Sequence, residues 1–244
     1  MQRWRERWGK WTEGAAALER WLLPAECLLC HGPAGGEDPL ICDLCRRRWR
    51  PVTSPGCARC GQPAVDDLPC RLCAEWPEAL GIARSAVWLD EGPRRAVHAL
   101  KYDGWWRVTD VLAQVMTGLE PLARGIILVP VPLAPKRLAQ RGYNQAERLA
   151  AALGRRTGLT VADAALARRR ETPTQTALTP VGRRVNVAGA FAGGGVAGRT
   201  VVLVDDVLTT GATLGACAEA LVVAGAARVA AVTFARARAV GDFS

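Results

Sequence analysis

The sequence predicts an α/β domain, a mainly parallel sheet flanked by helices, behind an N-terminal module of metal-holding ribbons. Three observations carry this. From Ala83 onward, short apolar runs alternate with stretches of helical periodicity, the pattern of repeated βα units. One run, Val201-Val202-Leu203-Val204, has four aliphatic residues in succession, which suits a strand buried on both faces. Eight of the nine cysteines fall between Cys27 and Cys73 as four C-x-x-C pairs.

Ahead of the cysteines, Trp4, Trp8, Trp11, Ala15, Leu18 and Leu22 recur at helical intervals, so residues 1–26 read as an amphipathic helix. Arg5, Glu6, Arg7 and Lys10 fill its other face, and its apolar stripe suits docking on protein or on a membrane surface. No apolar run is long enough to span a bilayer, and charges interrupt the first residues where a secretory signal would be continuous. The expected location is cytoplasmic.

The pairs Cys27/Cys30, Cys42/Cys45, Cys57/Cys60 and Cys70/Cys73 form two similar halves across 27–78. Two pairs give four thiolates in a tetrahedron, the ligand set of a structural zinc, so two Zn²⁺ ions are expected. Pairing in sequence order is favoured, because each half has its own Gly/Pro-rich turn. A disulfide framework is the weaker alternative without a secretory signal. His31 beside Cys30 is redundant as a ligand. The ninth cysteine, Cys217, sits among alanines and reads as a small core residue.

The α/β domain is expected over 79–244. Ala83 to Leu89 reads as a strand, Gly92 to Tyr102 and Val108 to Leu119 as helices, and Ile126 to Val131 as a buried strand. A helix over Tyr143 to Thr157, a strand over Val201 to Val204, a helix over Ala212 to Ala224 and a last strand over Val229 to Phe234 complete it. Ligands of such sheets sit at the carboxyl ends of the strands, where both strong motifs fall.

The first motif is Val201 to Leu214. The strand ends in Asp205 and Asp206, whose side chains suit ribose hydroxyls or a divalent metal and would repel each other without a ligand or metal between them. Thr209, Thr210, Gly211, Ala212 and Thr213 then turn into a helix whose first amides can hold an anion. An ordinary N-capped helix would explain the threonines but not the paired carboxylates. The second motif, Val129-Pro130-Val131-Pro132-Leu133, breaks a strand into a rigid loop, after which Lys136, Arg137 and Arg141 collect at the next helix. A third stretch, Arg168 to Phe191, is polar and long for a connection, as active-site lids are. No P-loop or dinucleotide glycine motif is present, which removes those nucleotide classes.

The net charge is +9, and residues 91–244 hold the whole excess, with 20 basic against 11 acidic residues. A phosphate- and pyrophosphate-bearing substrate or a nucleic-acid backbone would favour that field, and charge alone does not choose.

The Asp205–Thr213 segment resembles the 5-phosphoribosyl-1-pyrophosphate (PRPP) signature of type I phosphoribosyltransferases. In order, the cysteine knuckles, Lys101-Tyr102-Asp103-Gly104, the Val-Pro-Val-Pro-Leu loop with Arg141-Gly142-Tyr143-Asn144-Gln145, the stretch ending in Gly189-Ala190-Phe191 and the PRPP signature resemble the ComF family. The resemblance implies Asp205, Asp206, Arg170 and Lys101 as catalytic residues. It implies PRPP contacts from the acidic pair, Thr209 to Thr213, Pro132, Lys136, Arg137, Arg141, Asn144, Gln175 and Arg184. It further implies Mg²⁺ with PRPP, displacement of pyrophosphate by an unidentified acceptor, and a link to DNA uptake and competence or nucleotide metabolism, with single-stranded DNA and competence proteins as partners. The competing class is a non-catalytic module that senses PRPP or binds single-stranded DNA on the same fold.

Overall fold

The computed structural model describes residues 25–34, 40–53, 56–63, 70, 72–170 and 189–238. The N-terminal tryptophan segment, Gln175, Arg184 and most of the long polar stretch lie outside them. The chain forms two compact units, Met1–Arg48 and Trp49–Ser244. Among the described residues no helix is long and apolar enough to cross a membrane.

The first unit holds one cysteine ribbon and a short helix, α1 (Asp43–Arg47), whose acidic first residue and basic last turn complement the helix dipole. The second unit holds the other ribbon and the α/β domain. Its five-stranded parallel sheet has the order β1 (Ala83–Trp88), β7 (Arg228–Arg236), β6 (Thr200–Leu208), β2 (Ile127–Pro130) and β3 (Thr160–Val161). The middle of the sheet is apolar on both faces: all four β2 residues are buried, as are Val201, Val202, Leu203 and Val204. That continuous run is what a strand covered by helices on both sides requires.

Helices α2 (Glu91–Tyr102) and α3 (Thr109–Met116) lead from β1 to β2, and α5 (Gln145–Thr157) leads from β2 to β3. After β6, α6 (Ala212–Val223) leads back to β7. The chain therefore steps outward from β2 in one direction and from β6 in the other. Between these strands lies the switch point at which doubly wound sheets open a crevice at their carboxyl ends. β2 stops pairing at Pro130, opposite Val204, with one further bond from the Val131 amide to the Val204 carbonyl (3.0 Å). β6 continues against β7 as far as Leu208 opposite Arg236.

That continuation corrects one expectation. The motif strand does not end at the carboxylates: Asp205 is in register with Thr233, and the strand runs on through both acids because β7 is equally long and completes the ladder. Smaller elements were also not foreseen, the edge strand β3 among them. Pro135 opens a seven-residue helix, α4 (Pro135–Arg141), closed by Gly142 at φ 78°. A two-stranded antiparallel pair, β4 (Leu166–Arg168) with β5 (Phe191–Gly193), clips together the two ends of the long polar stretch.

Candidate functional site

The site is built at the β2/β6 crevice from four segments. β6 brings Asp205 and Asp206, with Asp206 almost fully buried. The last turn of α2 brings Lys101, whose ammonium forms an ion pair with the Asp206 carboxylate. From the start of α5, the buried Gln145 amide reaches Asp206 Oδ1 at 3.4 Å, while its Oε1 accepts from Arg141 at the end of α4. An Arg141–Gln145–Asp206–Lys101 network results.

The electrostatics of the pair follow from that arrangement. Burial alone would raise both carboxyls. The Lys101 charge and hydrogen bonds from Asp205, Lys101 and Gln145 reverse this for Asp206, which is held below its ordinary value. Asp205 is pushed well above the ordinary carboxylate range by burial and by the negative charge of Asp206. Lys101 shows the mirror image: burial would lower it, but Asp206 and then Asp205 raise it on balance, against a smaller opposing effect of Arg141. The two carboxyls are thereby driven apart, as acids that share a site are. The expectation that only ligand or metal could neutralise the pair is thus corrected, since the chain supplies its own cation.

The phosphate-type loop follows at once. Asp205, Thr209, Thr210, Gly211, Ala212 and Thr213 line a small polar recess. Gly211, the N-cap, stands at φ 80° and has no side chain to cap α6; the Ala212 amide donates to the Thr210 hydroxyl at 3.4 Å, and the amides that follow it form an anion-type helix start.

The other anticipated residues divide. Pro132 is half-buried in the loop after β2, and Lys136 and Arg137 stand exposed on α4. Arg170 is exposed, its carbonyl accepting from Arg168 Nε at 3.3 Å. Asn144 is engaged structurally: its Oδ1 caps α5 at the Ala146 amide and its Nδ2 donates to the Val131 carbonyl, both at 3.0 Å. Cys217 is fully buried, and burial followed by the Asp205 charge pushes its thiol far up, so it behaves as core.

Gln145, the last residue of the Arg-Gly-Tyr-Asn-Gln run, is a site residue that its sequence pattern did not single out. Sequence reasoning also missed an exposed aromatic group beside Lys101. Tyr102, Trp105 and Trp106 are 70%, 44% and 43% exposed, with Arg141 over the Tyr102 ring (5.5 Å) and Arg148 over the Trp106 ring (5.0 Å). The adjacent tryptophans were the available signal.

Each ribbon gathers its own four sulfurs. Cys27, Cys30, Cys42 and Cys45 form one cluster and Cys57, Cys60, Cys70 and Cys73 the other, with all sulfurs in a cluster within 4.8 Å of one another. The pairing is therefore in sequence order. Sulfur separations of 3.8 Å (Cys30 to Cys42), 3.5 Å (Cys57 to Cys73) and 3.4 Å (Cys60 to Cys70) are close to the edge, about 3.8 Å, of a tetrahedron with zinc–sulfur bonds of about 2.3 Å. The donor set and spacing fit structural zinc. Burial raises the Cys27 thiol, but amide donors, including those of Cys42 and Leu29 at 3.4 Å, bring it down to about 6. Cys57 is brought to about 7 in the same way, its burial outweighed by amide and thiol donors. His31 adopts φ 59° and donates its amide to the Cys27 carbonyl, and Gly61 at φ 71° does the same to Cys57 in the second ribbon. His31 thus occupies the left-handed corner of the knuckle.

A family described as a double zinc ribbon domain matches residues 18–74, and one described as a phosphoribosyl transferase domain matches residues 138–242. Fold and site together define a phosphoribosyltransferase-fold protein carrying a double zinc ribbon. The DNA utilization protein YhgH of Escherichia coli O157:H7 is 33% identical over 221 residues, covering 85% of this chain and 95% of that protein. The competence proteins ComFC of Bacillus subtilis (strain 168) and Streptococcus pneumoniae (strain ATCC BAA-255 / R6) are 25% and 26% identical, over 86% and 78% of this chain and 94% and 84% of theirs. The chain belongs to the ComF family.

Proposed function

We propose that the chain binds PRPP with Mg²⁺ in the β2/β6 crevice and transfers its phosphoribosyl group to an acceptor, displacing pyrophosphate. The observation that carries this is the juxtaposition of an acidic pair, its buried member Asp206 balanced by Lys101, with a threonine-lined recess at the start of α6 that Asp205 also lines. The 5′-phosphate is anionic and fits the amides and hydroxyls of Thr209 to Thr213. The ribose hydroxyls donate to Asp205 and Asp206. Lys101 and Arg141 bring positive charge to the side of the site where pyrophosphate leaves, and Lys136, Arg137 and Arg170, with Gln175 and Arg184, supply further contacts.

Displacement at the anomeric carbon develops positive charge on the sugar and negative charge on the leaving group. The carboxylates stabilise the first and the basic residues the second. Asp205 is the one carboxyl of the pair outside the ion pair with Lys101, and together with threonine hydroxyls it fits a cation that takes its remaining ligands from substrate and water. Bound there, Mg²⁺ would neutralise pyrophosphate and ribose oxygens. Titration calorimetry of PRPP with Mg²⁺, followed by pyrophosphate release across a panel of nitrogenous acceptors, tests binding and turnover separately.

A second reading, a non-catalytic site for single-stranded DNA, is favoured by the exposed Tyr102, Trp105 and Trp106 with Arg141 and Arg148 above them. Unpaired bases stack on such platforms while the backbone follows the cations. The names of the relatives, DNA utilization and competence proteins, support a link to DNA uptake for either reading; a cytoplasmic setting with competence partners is part of the same proposal.

A further inference from the structure

The second cysteine ribbon reaches the phosphate loop. Three residues after the last sulfur, Trp76 is buried, and its indole N–H donates to the Thr210 carbonyl at 2.8 Å. Its ring fills the space beside Gly211: a Cβ there would lie 2.5 Å from the indole, and one at Gly215 would lie 2.9 Å from Pro77. Glycines one helical turn apart thus make room for Trp76-Pro77 against the start of α6.

The segment is in turn fixed from the ribbon. The Arg59 guanidinium, inside the Cys57/Cys60 knuckle, donates to the carbonyls of Cys73 (3.0 Å), Pro77 (2.7 Å) and Leu80 (2.9 Å) and lies 5.8 Å from the Trp76 ring. From the end of β7, the fully buried Arg236 donates to the Cys60 carbonyl and to Gln62 Oε1 (2.9 Å). The cluster is tied on one side to the sheet and on the other to the loop.

We infer that Trp76 is a positioning residue for the phosphate loop, and that the integrity of the Cys57, Cys60, Cys70 and Cys73 cluster sets, through Trp76, how well that loop holds its anion. The functional consequence rests on the PRPP reading above; the coupling itself does not. Thr210 presents its carbonyl to the indole while its hydroxyl accepts from the Ala212 amide at 3.4 Å, so the indole bond fixes the turn that lines the recess. Loss of metal from the ribbon releases the Cys73 to Leu80 segment on which that orientation depends.

The test combines amide hydrogen exchange over 208–214 with PRPP calorimetry on the full zinc-loaded chain. Trp76→Phe keeps most of the ring and removes the donor; Cys70→Ser weakens the cluster, with loss of zinc checked by metal analysis. Both should exchange faster over 208–214 and unchanged over 91–97, while melting cooperatively. Trp76→Phe should bind PRPP roughly 5-fold more weakly, the worth of one hydrogen bond. Unchanged loop exchange in the folded Trp76→Phe protein, or in Cys70→Ser protein that has lost a zinc, overturns the coupling. If wild-type protein binds no PRPP, the functional reading fails while the exchange data still decide whether ribbon and loop are coupled.

Discussion

The half-buried Lys101 and the buried Asp206 form a counterion pair. Removing Lys101 strands the Asp206 charge, an effect that reaches about 3–5 kcal/mol only where both partners are fully buried. Asp206 titrates below its ordinary 3.8 and Lys101 above its ordinary 10.5 in the folded chain, so the pair contributes fully between those values. Its contribution is lost on acidification as Asp206 takes up a proton, and at high pH as Lys101 gives one up. Lys101→Met should therefore lower the melting temperature most near neutrality, with the gap to wild type closing as the pH falls, in thermal melts run from pH 7 to pH 3. Asp205 has the opposite sign. Held above its ordinary value by burial and by Asp206, it gains nothing from being ionised in the free protein, and Asp205→Asn should leave the melting temperature unchanged or raised. PRPP affinity should nevertheless fall at least tenfold by calorimetry, because ribose and metal need the carboxylate. The Asp205→Asn, Asp206→Asn double variant should be destabilised, because it removes the counterion of Lys101.

Loop geometry at the site is set by short elements held by single side chains. Asn144 is the clearest case, capping α5 and gripping the Val131 carbonyl at once. Asn144→Ala should cost about 1–2 kcal/mol in urea unfolding, and it should weaken PRPP binding by freeing the Pro132 loop. Elements of this kind also show where sequence was informative. The strands and longer helices were legible because burial on two faces writes itself as Ile127 to Val129 and Val201 to Val204, and amphipathic periodicity marks Gln145–Thr157. The acidic pair and the threonine loop were legible because their chemistry has few other uses. Lys101 was named through its motif, but its pairing with Asp206 was not, since partners more than a hundred positions apart leave no local signature. Trp76, Arg59 and Arg236 were silent for the same reason: a tryptophan after a cysteine pair and a lone arginine at a strand end each look like packing or surface. The end of β6 was misplaced because the length of its neighbour, not its own side chains, decides where pairing stops.

Across the whole molecule, metal and charge are divided. Elemental analysis of protein purified without chelators should give two zinc ions per chain, one for each four-sulfur cluster; none, with disulfides found by mass spectrometry, would reverse the metal assignment. Residues 1–90 carry 12 basic and 12 acidic residues, so the basic excess of 91–244 should dominate contact with a nucleic-acid backbone. Arg168, Arg169 and Arg170 changed together to Ala should weaken and flatten the salt dependence of single-stranded DNA binding more than Arg46, Arg47 and Arg48 changed together, as measured by fluorescence anisotropy from low to high salt. Whether the β2/β6 crevice is a PRPP site is decided by titration of PRPP with Mg²⁺ into zinc-loaded wild-type and Asp205→Asn protein. Wild type should show saturable, Mg²⁺-dependent binding, with a melting temperature raised by several degrees at a hundredfold excess over Kd, where ligand adds about 2.7 kcal/mol, and both effects should be strongly reduced in Asp205→Asn. Absence of binding and of any thermal shift at millimolar PRPP, in protein shown to carry both zinc ions, would contradict the PRPP assignment.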